Sequence, residues 1–192
     1  METEPQLDTS RPSNLRLAGF AATASGALLL GIGSRLLWVT VGFGDVPGSE
    51  STYRGAELGA GKVALGSAIL ILIAVLAARA VSARWRAWFA VAIIVVAAIP
   101  TVLAAWFVVS AADHYSPIND DKLVDALAAI EKRTPEEVRA ALSKVLDTLG
   151  GYTHIGTGPW LVILGGALAI VGGVLTLRWA RAVGSPEPTS EA

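Results

Sequence analysis

The residues of this chain with the clearest chemical potential are two histidines, one aspartate and one arginine. His114 and His154 bracket a polar segment, 113–157, and Asp113 adjoins the first of them. If the segment folds back on itself, two imidazoles and a carboxylate meet, which is a ligand set for a divalent metal. Histidines this far apart carry no spacing signature, and ordinary interfacial histidines account for them as well, so no metal is assigned. Arg35 lies inside the apolar run 17–41, about two helical turns from its end. A charge near the bilayer centre is costly and marks function by default. At this depth, however, a long side chain reaches the headgroups while its stem stays in lipid, or it pairs with Asp45 or Glu57. No Asp or Glu falls within any apolar run, so the carboxylates that proton-coupled carriers place at membrane depth are missing. Nothing has the strand–turn–helix setting of a nucleophile elbow, and the glycines cluster in apolar runs instead of a phosphate-binding loop. The chain has no cysteine, hence no thiolate site and no disulfide. Neither a catalytic group nor a cofactor is expected.

The elements that must position these residues are four apolar runs, 17–41, 61–81, 87–112 and 158–177. Each approaches or exceeds the roughly 20 residues that a helix needs to cross a hydrocarbon core about 30 Å thick. Only 16% of the chain is charged, against about a quarter in soluble domains. The expected fold class is therefore all-α: a four-helix transmembrane bundle with an extracytoplasmic amphipathic helical hairpin between spans three and four. The first run is too long for the roughly 7–15-residue core of a signal peptide, and no small-residue cleavage site follows Trp38, which makes it an uncleaved anchor. Residues 1–16 are expected to be a disordered cytoplasmic N-terminus and 178–192 a cytoplasmic tail, with the Pro-containing first ten and last eight residues least ordered. Segment 42–60 is expected as an outer loop and 82–86 as an inner one. A net charge of −1 gives no case for nucleic acid.

Arg11, Arg16, Arg79, Arg84, Arg86, Arg178 and Arg181 all fall on one side of a four-span arrangement. The loops on the other side are net acidic, with eight acids against five bases in 113–157. The positive excess predicts both termini in the cytoplasm of a multi-pass cell (inner) membrane protein. Trp38, Trp85, Trp88, Trp106, Trp160 and Trp179 lie at or near the span ends, as expected of an interfacial belt. Within 113–157, Asn119 or Asp120 is placed to cap a helix running to Arg133. Thr134-Pro135-Glu136-Glu137 then restarts one with a capping box and a proline at its first position. Val138, Leu142, Val145 and Leu149 continue at helical spacing until Gly150-Gly151. The two helices are expected to pack on each other or to offer their apolar stripes to a partner. Small residues four apart, Gly165, Ala169 and Gly173 in span four and Ala22 with Gly26 in span one, let helices approach closely in lipid. Pro100 removes a backbone donor from span three and predicts a kink.

The stretch Gly33-Ser34-Arg35-Leu36-Leu37-Trp38-Val39-Thr40-Val41 closes span one, and Thr157-Gly158-Pro159-Trp160-Leu161 opens span four, which ends in Leu177-Arg178-Trp179. With four spans and a short Arg-rich inner link, these motifs resemble the actinobacterial Trp biosynthesis-associated membrane proteins, a family named for genes near those of tryptophan synthesis. The resemblance covers most of the membrane part and implies a four-span membrane protein; it carries over no catalytic residue. Three functions are weighed. The first is a non-enzymatic accessory or scaffold protein. The second is a small transporter or channel subunit acting as an oligomer. The third is a metal-dependent sensor or enzyme using Asp113, His114 and His154. The first is expected, with the lipid bilayer and another membrane protein or a second copy as partners.

Overall fold

The computed structural model describes residues 11–43, 50–114 and 121–184. In chain order, the elements are α1 (Arg11–Gly33), β1 (Leu37–Phe43), β2 (Ser51–Arg54), a 3₁₀ turn (Gly55–Glu57) and α2 (Gly59–Ala80). These are followed by α3 (Ala83–His114), α4 (Asp121–Glu131), α5 (Pro135–Leu149), β3 (Gly151–Ile155) and α6 (Thr157–Gly184). Among the described residues, four helices are long and apolar enough to span a membrane, over Asn14–Gly33, Gly59–Ala80, Trp85–Ala111 and Thr157–Ala182. The expectations of disorder for the first ten and last eight residues, and the proposed caps Asn119 and Asp120, lie outside the described residues. Residues 11–16 are helical, not part of a disordered terminus. Pro12 stands in the first turn, where its missing N–H is not needed. At the other end α6 continues to Gly184, beyond the expected limit at 177, because Trp179 and Ala180 remain buried against the bundle.

A larger departure concerns the apolar run 17–41, which is not one helix. The helix stops at Gly33, Arg35 N–H closes a tight turn on Ile32 O (2.9 Å), and the second half of the run becomes strand β1. Ser34 Oγ donates to Gly31 O at 2.6 Å, holding the turn. Val39, Thr40 and Val41 are β-branched and suit a pleated surface better than a continuing helix. β1 is the central strand of a three-stranded antiparallel sheet in the order β2-β1-β3. One neighbour comes from the expected outer loop, the other from the base of the expected hairpin. Thr40 stands opposite both Thr52 and His154, and Val39 opposite Tyr53 and Ile155.

The bundle is organised around α6, which packs on α1 and on α3, while α2 packs on both of these. The α1–α6 seam is a ladder of glycines seven residues apart. Gly19 faces Gly172, Gly26 faces Gly165, and Gly33 faces Gly158, as expected for antiparallel helices. A Cβ on Gly26 would lie 2.5 Å from Gly165 O, and one on Gly165 would lie 2.7 Å from Gly26 O. Only glycine permits such backbone approach, and dispersion across the close contact drives helix association where lipid supplies no hydrophobic force. A seven-residue repeat keeps two such helices in contact along a left-handed supercoil. Thr23 and Thr176, buried beside the Gly19–Gly172 rung, satisfy their hydroxyls within their own helices on Gly19 O (2.8 Å) and Gly172 O (2.9 Å). Gly165 and Ala169 share this face, whereas Gly173 faces α3 instead, near Ile94 and Ala90. The four-residue stripe is thus split between two seams. α3 runs without a break through Pro100, which is fully buried, and Thr101 Oγ1 donates to Ala97 O at 2.7 Å beside it.

α4 and α5 pack on each other. Val124 and Ala128 pack on Val138, flanked by Leu127 and Leu142. Lys132 adopts φ 54° and Arg133 N–H reaches back to Ala128 O (3.1 Å), a six-to-one closure that ends α4. The capping box opens α5: Glu137 N–H donates to Thr134 Oγ1 (3.3 Å) and Thr134 N–H to Glu137 Oε2 (3.1 Å). Gly150, at φ 66°, ends it.

Candidate functional site

The sheet and the helix ends beneath it form the most elaborated region outside the spans, and Trp38 is its centre. The register of β1 against β2 shifts between Leu37 and Val39, so that Trp38 is the extra residue of a bulge. A bulge breaks the in–out alternation of a strand and re-aims a side chain. Here it turns two consecutive residues, Trp38 and Val39, into the core, each 0% exposed. The expected place of Trp38 in an interfacial belt is therefore incorrect. Its indole Nε1–H has a partner inside, Gly33 O at 2.9 Å, one of the carbonyls that the end of a helix leaves without a partner. The ring stands edge-on to Phe107 of α3, with centroids 4.9 Å apart and planes at 67°. A Cβ on either Gly55 or Gly158 would enter the indole.

Backbone bonds fasten the same residues from both sides. Gly55 N–H donates to Leu36 O at 3.0 Å, and Gly156 N–H donates to Trp38 O at 2.9 Å. Hence the two motifs at 33–41 and 157–161 meet in space, and Gly55 joins them from the segment read as a loop. Sequence reasoning missed Gly55, Gly156 and Gly158 as a set. The available signal was a glycine immediately after each outer strand, Gly55 after β2 and Gly156 after β3.

Thr52, Thr40 and His154 form a row across one face of the sheet, with Tyr152 two residues before His154 on the same face. Tyr152 covers Gly42, and its hydroxyl donates to Glu50 Oε1 at 2.6 Å. That hydrogen bond to a carboxylate, with smaller contributions from desolvation and the Glu50 charge, raises the phenol above its ordinary value. Tyr152 is thus held protonated, a donor and not a nucleophile. Arg35 sits exposed in the turn between α1 and β1, not within a span as the hydropathy alone suggests. Among the described residues it has no carboxylate partner: Glu57 is engaged by the N–H of Arg54 at 3.0 Å, and Asp45 lies outside them. Beside Arg35, a cleft of about 420 Å³ opens between α1 and α2, lined by Ala27, Gly31, Ala68 and Leu72 among others.

Asp113 and His114 are the last residues of α3, and their side chains lie outside the described residues; His154 is exposed on β3. Trp160 projects outward from the first turn of α6 and does not join Trp38, although Pro159 next to it is fully buried. Trp85, Trp88 and Trp106 are exposed in the same manner, whereas Trp179 is 7% exposed. What the region offers chemically is a fixed polar face of hydroxyls, a phenol and an imidazole beside an amphipathic helix pair.

The chain has no match among curated proteins or solved structures. A family model does match, over residues 20–187, a range that takes in all three rungs of the glycine ladder partly or wholly, the sheet and both motifs around Trp38. With four apolar helices of spanning length, the chain is a multi-pass membrane protein and belongs to the family of tryptophan-associated transmembrane proteins.

Proposed function

We propose that this protein is a non-enzymatic accessory component of the cell membrane that holds a second membrane protein on a platform built from the sheet and the α4–α5 pair. The observation that carries this reading is the locked junction at Trp38. Because β1 follows α1 after a single turn and the Trp38 indole is bonded to Gly33 O, the sheet moves with the bundle, and a partner bound on it is held at a fixed place over the membrane. Ile130 on α4 is 76% exposed and Val145 on α5 is also exposed, so the helix pair keeps apolar contacts to offer after packing on itself. Arginines at the opposite end of the bundle favour a cytoplasmic position for both termini, which puts the platform outside.

Affinity purification from native membranes in mild detergent tests the reading, comparing wild type with a chain lacking residues 119–149. A membrane protein captured by wild type and lost from the deletion is the expected result. Recovery of the chain alone, as a defined oligomer, would overturn it in favour of an oligomeric channel or transporter subunit. Reporters fused after Gly151 and after Ala83 test the orientation, and the expected result is that only the first is exported.

A further inference from the structure

At the bundle end opposite the sheet, arginines from three helices converge on two largely buried rings. The guanidinium carbon of Arg16 lies 5.9 Å from the centroid of Phe20 and 5.2 Å from that of Trp179. Arg79 stands 5.4 Å from the Phe20 centroid, and Arg86 5.4 Å from the Trp179 centroid. Arg86 Nε also donates to Ala78 O at 3.2 Å. Cation–π contacts hold the guanidinium faces, while the in-plane N–H donors at their edges remain available to a planar or tetrahedral anion.

Three positive charges share this space with no compensating acid among the described residues. α1, α2 and α6 contain no Asp or Glu, and Asp113, the only one in α3, is at its far end. Beside the cluster, a cleft of about 450 Å³ lies between α1 and α2, lined by Arg16, Phe20, Ala21, Ala24, Val75 and Arg79 among others. Its volume is within the roughly 300–1,000 Å³ of small-molecule clefts. Two arginines line it at the ends of their spans, and the remaining surface runs toward mid-span on small and apolar side chains. The complementary molecule is an amphiphile with an anionic head and a hydrocarbon tail, and a basic pocket between membrane helices is where acidic headgroups bind.

We propose that this cleft is a binding site for an acidic phospholipid. Its phosphate sits between Arg16 and Arg79, and the first part of an acyl chain lies over Phe20, Ala21, Ala24 and Val75. The site stands independently of the platform reading above.

The test is electron spin resonance on the full chain reconstituted in phosphatidylcholine vesicles. A small fraction of spin-labelled phosphatidylglycerol, or in a parallel sample spin-labelled phosphatidylcholine, is added, and the motionally restricted fraction is read. Wild type is expected to restrict the acidic lipid several-fold in preference to the zwitterionic one. R16Q/R79Q should bring the ratio close to one, and R16K/R79K should retain part of it. R35Q, which removes the lone arginine beside the other α1–α2 cleft, should leave the ratio unchanged. Equal restriction of both lipids by wild type overturns the proposal, a result that stands even if the double variant does not fold. So does a preference that survives in a folded R16Q/R79Q. Two further measurements distinguish the other occupants. Selectivity that appears only after removal of residues 1–10 and 185–192 identifies the chain's own acidic tails as the occupant. Calorimetric binding of inorganic phosphate without lipid selectivity identifies a soluble anion. Either outcome overturns the lipid assignment.

Discussion

The two ends of the bundle each bury a tryptophan, and they use it in opposite ways. At the sheet end, Trp38 is held by geometry: a bulge aims it inward, a carbonyl takes its N–H, and glycines at 55 and 158 leave it room. No charged group takes part in these contacts. At the arginine end, Trp179 is held by charge, with Arg16 and Arg86 over its ring and no carboxylate from the described residues nearby. The first arrangement satisfies its polar groups internally. The second leaves guanidinium donors unsatisfied by carboxylates and facing a cleft. A buried aromatic at a span end thus serves as a rivet in one place and as a seat for cations in the other. The glycine ladder between α1 and α6 ties the two together, since its outermost rungs, Gly33–Gly158 and Gly19–Gly172, lie close to them.

The sharpest break in this contrast is Trp38→Ala. Truncating a large buried aromatic costs about 3–5 kcal/mol, and the loss here also frees both strand junctions. Unfolding by denaturant in mixed micelles should show that loss at any salt concentration, with faster amide exchange at Gly55 and Gly156. A cost no greater than that of Trp160→Ala, an exposed ring, would remove the distinction between rivet and belt. Trp38→Phe separates the ring from its donor. It keeps the edge contact to Phe107 but leaves Gly33 O without its partner, a buried unsatisfied carbonyl worth about 1–3 kcal/mol. The sheet should stay folded in that variant, and exchange at Gly156 should rise less than in Trp38→Ala.

How much of this was legible in the sequence depends on the range of each pattern. The four spans, the capping box at Thr134 and the stop at Gly150 are local signals, and the structure contains each of them. The split of run 17–41 into helix and strand was not read, because a hydropathy window measures burial and cannot distinguish a membrane helix from a buried strand. The clues were the Gly31-Ile32-Gly33-Ser34 stop and the β-branched 39–41 that follow it. The sheet was further hidden because β1 pairs with β3 more than a hundred residues away, and no local pattern records that. The glycine ladder was visible as sevens, Gly19-Gly26-Gly33 and Gly158-Gly165-Gly172. Spacing of four accounts for Gly165 and Ala169 but misplaces Gly173, since a seam between helices tilted about 20° repeats every seven residues. Arg16, Arg79 and Arg86 are readable as topology signals, yet their convergence requires the three-dimensional arrangement of four helices.

At the arginine end, Trp179→Leu keeps an apolar side chain and deletes two cation–π contacts. Each is worth about 0.5–1 kcal/mol where the cation is exposed, so the cation–π share of the loss is about 1–2 kcal/mol, below the cost of Trp38→Ala. Unlike the losses at Trp38, this one should shrink as salt is raised, because charges near the surface are screened. A salt-independent loss would mean that Trp179 works by packing alone, and the two ends would then be held by the same means.

The smallest expected effect returns to the sheet end and tests whether its Tyr152–Glu50 contact matters to its rigidity. The bond from Tyr152 to Glu50 holds the phenol above its ordinary value of 10.0. A group whose folded value is raised gives its full contribution below the unfolded value and loses it as pH climbs through the folded one. The bond is therefore complete at neutral pH and declines only in the alkaline range above about 10. Phenolate absorbance followed against pH should show one late-titrating tyrosine that disappears in Tyr152→Phe and moves earlier in Glu50→Gln. Because both side chains are exposed, neither substitution should measurably change unfolding at pH 7 or loosen the Gly156 amide. A clear loss of stability at pH 7 in Glu50→Gln would show that charge as well as geometry holds the sheet end.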